Sequence, residues 1–106
     1  MDIELRTIED CPHGPQAREL YRRALELEGL AAESLTVREI TTNEQAAELL
    51  FHGSPTFSLN GADLLPSDAE PALTCRVYGT PGGLAGLPAL STLREAIREF
   101  SDGQSS

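Results

Sequence analysis

Two cysteines carry most of the chemistry this chain can do. Cys11 stands in "EDCPHGP", residues 9 to 15, and Cys75 stands far along the chain in "LTCRVY". A thiol reacts as its thiolate, and an unperturbed thiol has a pKa of about 8.5. Cys11 lies between a strand-like run and a helix-like run, and the unpaired N–H groups at a helix start favour an anion. His13 can add positive charge there when protonated, while Pro12 removes a backbone donor and stiffens the turn. Plainer readings stand beside these. Free cysteine is among the most buried residue types, so Cys11 or Cys75 can simply be a small core residue. His13 can be a solvent-facing residue of the first helical turn.

The elements that must position these groups follow from periodicity. In "DIELRTI", residues 2 to 8, Ile3 and Leu5 point one way and Glu4 and Arg6 the other, which is strand alternation. From Gln16 the period becomes helical, with Ala17, Leu20, Tyr21, Ala24 and Leu27 on one face and Gly29 as the stop. "SLTVREI" predicts a second strand with Leu35 and Val37 on one face. Thr42 with Gln45 gives a capping box for a second helix whose apolar face is Ala46, Leu49 and Leu50, with Gly53 as its C-cap and His52 serving its C-terminus. Phe57 and Leu59 mark a third strand, and Asn60-Gly61 is a strong hairpin signal leading into a fourth. Leu90, Leu93, Ile97 and Phe100 mark a last helix, with Pro88 or Ser91 near its start. The order is β-α-β-α-β-β-α. The first crossover makes strands one and two parallel, the hairpin adds an antiparallel edge, and helices can cover both faces of a four-stranded mixed sheet.

Composition sets the frame. The chain has 106 residues, 40% of them hydrophobic, enough for one modest core. Residues 1–100 read as a single domain and 101–106, "SDGQSS", as a flexible tail. The formal net charge is −9, which repels phosphates and argues against nucleic acid or an anionic membrane as partner. No run approaches the roughly 18 apolar residues of a membrane span, and the acidic N-terminus lacks a signal-peptide layout, so a cytoplasmic location is expected. Asp2, Glu4, Glu9 and Asp10 read as a solvated acidic face rather than metal ligands. "GTPGGLAG", residues 79 to 86, lacks the context of a phosphate-binding loop and reads as a flexible loop.

Two motifs in this order resemble the thioredoxin fold. "CPHG" stands where that family carries Cys-x-x-Cys, with Gly14 in place of the second cysteine. "GSPTF", residues 53 to 57, looks like the family's cis-proline segment, with Ser54 in place of the usual threonine. The resemblance covers roughly residues 1 to 65 and resumes at the last helix, whereas "LTCRVYGTPGGLAGLP", residues 73 to 88, is outside the generic fold. With "LNG-x-D" and "TCRVY" added, the chain is similar to a small bacterial group labelled DF-family (seleno)proteins, or loosely alkylmercury-lyase-like proteins. Some members of that group carry selenocysteine at the position of Cys11, which implies a reactive chalcogen there. The resemblance implies a thioredoxin-like three-layer α/β/α sandwich and a cis Ser54–Pro55 bond. That bond would put a proline ring and a free backbone edge beside the sulfur, open to an extended substrate.

The expected activity is a thiol-dependent oxidoreductase. Cys11 is its nucleophile, His13 tunes the site, and Cys75 is the internal candidate to resolve a mixed disulfide or sulfenic acid. Bridging would need Cα atoms within about 7 Å. Ser54, Pro55 and Pro12 would meet the substrate, a protein or small-molecule disulfide or a peroxide. No cofactor and no resident metal site are expected. Two other readings stay open: a soft-metal binding or sensing protein built on the two thiolates, and a redox-inert module that binds a partner in the groove beside Pro55.

Overall fold

A computed structural model of the chain describes residues 2–9, 11, 13–49, 51–65, 73–74 and 76–104. The elements run β1 (Ile3–Thr7), α1 (Gly14–Leu27), a 3-10 turn (Ala32–Ser34), β2 (Thr36–Glu39), α2 (Asn43–Glu48), β3 (Thr56–Leu59), β4 (Ala62–Asp63), β5 (Tyr78–Thr80), β6 (Gly83–Ala85) and α3 (Leu90–Gln104). The fold is mixed α/β. A four-stranded mixed sheet in the order β2-β1-β3-β4 is accompanied by three α-helices among the described residues.

Local signals explain most boundaries. Pro15 stands in the first turn of α1, where its missing N–H costs nothing. At the other end Gly29 adopts φ +75°, and Leu30 N–H donates to the Leu25 carbonyl while Gly29 N–H donates to that of Glu26, a Schellman closure. The buried stripe of α1 is Ala17, Tyr21, Ala24 and Leu25, and Leu27 is 48% exposed. The expectation for Leu27 is corrected because Leu25 follows Ala17 and Tyr21 at i+8 and i+4, whereas Leu27 falls well off that line. In α2, Thr42 Oγ1 accepts from Gln45 N–H at 3.0 Å, and the Gln45 side chain reaches back to Thr41 N–H at 2.8 Å. This helix stops at Glu48, so neither Gly53 nor His52 serves its end. Leu50, expected on its apolar face, lies outside the described residues.

The register places the sheet's two faces. Strand β1 runs parallel to β2 with Leu5 beside Val37, and antiparallel to β3 with Leu5 beside Phe57. Strands β3 and β4 are joined by Asn60 (φ 50°) and Gly61 (φ 83°), the left-handed pair the hairpin signal predicts. Ile3, Leu5, Phe57 and Leu59 face α1 and α3 and meet Tyr21, Leu25, Leu93 and Ile97 in the main core. The Phe57 ring packs edge-on against Tyr21 and Tyr78, with centroids 5.2 and 6.1 Å away. On the opposite parity, Ile40 joins Ala46 and Phe51 in a smaller cluster with Ile8 and Leu49, which sets α2 against the end of the other face.

Four expectations change. Strand β2 is exposed along its length, and Val37 is 49% exposed because it sits at the sheet edge. Glu4 is not part of a solvated face. It is buried, with Arg6 Nε at 2.7 Å and Arg38 Nε at 3.4 Å. "GTPGGLAG" is not a bare loop, because β5 and β6 pair antiparallel around Pro81-Gly82, with Thr80 opposite Gly83. Helix α3 also continues to Gln104, past Phe100 where the domain was expected to end.

Candidate functional site

The site forms where β1 leaves the sheet. Cys11 N–H donates to the Ile8 carbonyl at 3.3 Å, and Gly14 N–H donates to the Cys11 carbonyl at 3.2 Å, so the chain turns tightly into α1. Cys11 is a free, partly exposed thiol. A Cβ on Gly14 would lie 3.8 Å from that of Cys11, which brings the start of α1 against the cysteine. Thr7, Gly14, Pro15, Arg18 and Val37 bound an open cleft of about 370 Å³ on the same side of the molecule.

Ser54 meets the sulfur from the other strand. Its hydroxyl donates to Cys11 Sγ at 2.9 Å and accepts from Ile8 N–H at 3.2 Å. The backbone donor thereby occupies a lone pair of the oxygen and leaves the O–H directed at sulfur. Ser54 is only 1% exposed, so the hydrogen bond is shielded from competing water. The hydroxyl is thus a donor placed against the sulfur, which accepts it. The Ser54–Pro55 bond is cis, as the motif implied, and Pro55 is buried.

The backbone edge at Ser54 is not free. Ser54 N–H donates to the Thr74 carbonyl at 2.8 Å, and Arg76 N–H donates to the Ser54 carbonyl at 2.9 Å. The segment holding Thr74 and Arg76 thus takes both main-chain groups that were expected to meet a substrate. Arg76 is anchored in turn by Asp63 Oδ2 at 2.9 Å, by Thr56 Oγ1 at 3.4 Å and by the Leu65 carbonyl, and its guanidinium lies 4.7 Å from the centre of the Tyr78 ring. The Tyr78 hydroxyl donates to the Pro55 carbonyl, and burial pushes its pKa above the ordinary tyrosine value, so it stays a donor. Gly53, at φ +122°, allows this approach, since a Cβ there would lie 2.9 Å from Arg76 Cβ.

Cys11, Ser54 and Pro55 are therefore brought together. His13 is the N-cap residue of α1 without a side-chain cap bond, and its ring lies against Gly86, where an added methyl would collide with it. Pro12 and Cys75 lie outside the described residues. The sequence reading missed Arg76, Tyr78 and Gly86, and it gave Gly53 a helix-capping role in place of the close approach to Arg76. Alternation of Thr74, Arg76 and Tyr78 was a weak signal for an extended segment; nothing local pointed to the strand it pairs with.

Among the described residues no group of three or more His, Cys, Asp or Glu side chains is arranged to hold a metal ion, and no helix is long and apolar enough to cross a membrane. Comparison with protein-family models, with curated proteins and with solved structures finds no match.

Proposed function

We propose that this chain is a thiol-dependent oxidoreductase on a thioredoxin-like α/β/α scaffold, with Cys11 as the nucleophile. The observation that carries the reading is the buried Ser54 hydroxyl, oriented by Ile8 N–H and donating to Cys11 Sγ. The sheet order β2-β1-β3-β4 and the cysteine's position ahead of α1 support it. With a disulfide, the Cys11 thiolate attacks one sulfur, a new S–S bond forms, the old one breaks, and the other sulfur leaves as a thiolate. With a hydroperoxide, sulfur takes the terminal oxygen to become a sulfenic acid and an alcohol or water leaves. Cys75 then resolves either product by attacking the Cys11 sulfur, forming the Cys11–Cys75 disulfide and expelling the substrate thiolate from the mixed disulfide or water from the sulfenic acid.

Treating the protein with mild peroxide and mapping its peptides by mass spectrometry tests this reading. A Cys11–Cys75 disulfide is the expected product, and two unmodified thiols would sink the proposal. Ser54→Ala removes the donor to sulfur. Cys11 alkylation at neutral pH should be slower in that variant, and an unchanged rate would mean that the hydroxyl does not activate the sulfur.

A further inference from the structure

We infer that the segment carrying Thr74, Arg76 and Tyr78 is a built-in strap that restricts Cys11 to small electrophiles and excludes extended polypeptides. The inference rests on Cys11 being the working thiol. An extended peptide docks on a strand edge through main-chain hydrogen bonds, which place its own reactive group. Beside Cys11 that edge is Ser54, and both of its main-chain groups are bonded to Thr74 and Arg76. The next carbonyl, that of Pro55, accepts from the Tyr78 hydroxyl. The strap is held on its far side by the buried Arg76–Asp63 ion pair and by the Arg76 contact with the Leu65 carbonyl. A polypeptide would have to displace all of these groups to use the edge. Cys11 itself remains partly exposed beside the open cleft at Gly14, Pro15 and Arg18. A small disulfide or hydroperoxide needs no main-chain pairing and meets no such barrier.

The test uses a matched pair of probes, cysteamine and an extended peptide cysteine, each activated as the 2-thiopyridyl disulfide. In both, the Cys11 thiolate attacks the sulfur of the probe's cysteine moiety, the probe's S–S bond breaks, and 2-thiopyridone leaves with the electron pair and takes up a proton. Cys75→Ser, in the full-length chain, traps the mixed disulfide at Cys11. The rate ratio of the two probes on free cysteine corrects for their intrinsic reactivity. On the protein, the peptide probe should lag by a further factor of about ten or more. Tyr78→Phe, which deletes the bond to Pro55, or Arg76→Ala should shrink that lag. A peptide that reacts with the corrected rate of cysteamine overturns the strap while leaving Cys11 reactive. A lag that neither substitution changes overturns the strap as its cause. Failure of both probes to label Cys11 removes the thiol reading and this inference with it.

Discussion

The two faces of the four-stranded sheet are built by alternate residues of the same strands, and they are filled in opposite ways. Toward α1 and α3, Ile3, Leu5, Phe57 and Leu59 form a continuous apolar layer. On the other face, Glu4, Arg6, Thr56 and Ser58 are buried too, and Arg38, Asp63 and Arg76 extend the polar layer across its neighbours. Arg6 bonds Glu4 at 2.7 Å and the Leu49 carbonyl at 3.2 Å, and Arg76 bonds Asp63 and Thr56. Cohesion on the first face is non-directional and tolerates small shifts. On the second it depends on geometry, because each buried charge must keep its partner. The strap over Ser54 is anchored on this second face through Arg76. The part of the molecule that decides access to Cys11 is thus held by directional contacts.

The largest effect should come from the apolar face. Phe57 is fully buried between two aromatic rings. Phe57→Ala should cost about 3–5 kcal/mol in denaturant unfolding. On the polar face the comparison sharpens, because there the outcome depends on which partner is left behind. Arg6→Met leaves Glu4 buried with only the longer Arg38 contact. Its cost should approach about 3 kcal/mol, the lower end for breaking a buried pair. Removing both charges together, as Glu4→Leu with Arg6→Met, should recover most of that loss. A double variant no more stable than Arg6→Met would mean the polar face is held by something other than charge satisfaction.

Legibility in the sequence divides along a related line. Gly29, the Thr42 cap and the Asn60-Gly61 turn are short-range devices, and each was readable because its cause lies within a few residues. The β-α-β-α-β-β-α order followed from them. Burial of Glu4 and Arg6 was not readable, since alternation reveals a polar face but not what covers it. The β5–β6 hairpin was missed because Gly79, Gly82 and Gly83 remove the alternating side chains that signal a strand, and Leu84 is 79% exposed. At the site, the cysteine and the serine-proline pair were legible as motifs. Their enclosure by Arg76 and Tyr78 was not, because those contacts join residues twenty or more positions apart.

A smaller effect tests how the helices on the apolar face are latched. Glu28, which ends α1, receives Arg98 Nε at 3.0 Å and Arg94 Nε at 2.7 Å from α3. Hydrogen bonds from Arg98 and then Arg94 hold its carboxyl at about 2, below the ordinary 4.5. The folded-state value is depressed, so the stabilisation is complete above about pH 4.5 and is lost as pH falls toward 2. Thermal melts of the protein and of Glu28→Gln should differ near neutral pH and converge at the acid end. The difference should be modest, since both arginines are partly exposed and salt screens them. A gap that persists unchanged to pH 2 would assign the effect of the substitution to packing rather than charge.

The smallest effect belongs to Val37, and it marks where the apolar face ends. Val37 stands beside Leu5 in the β1–β2 register, on the parity that faces α1, yet it lines the open cleft with Gly14, Pro15 and Arg18. Leu5 is fully buried and Val37 is half exposed, although one strand spacing separates them. Truncating Leu5 to alanine should cost about 2–5 kcal/mol. Val37→Ala should cost less than about 1 kcal/mol, because only about half of its surface leaves water on folding. The ratio of the two, read from denaturant midpoints at unchanged m-value, measures how steeply burial falls across one strand. A Val37 cost equal to that of Leu5 would mean that the cleft beside Cys11 is closed in solution and that its neighbour in the register is core.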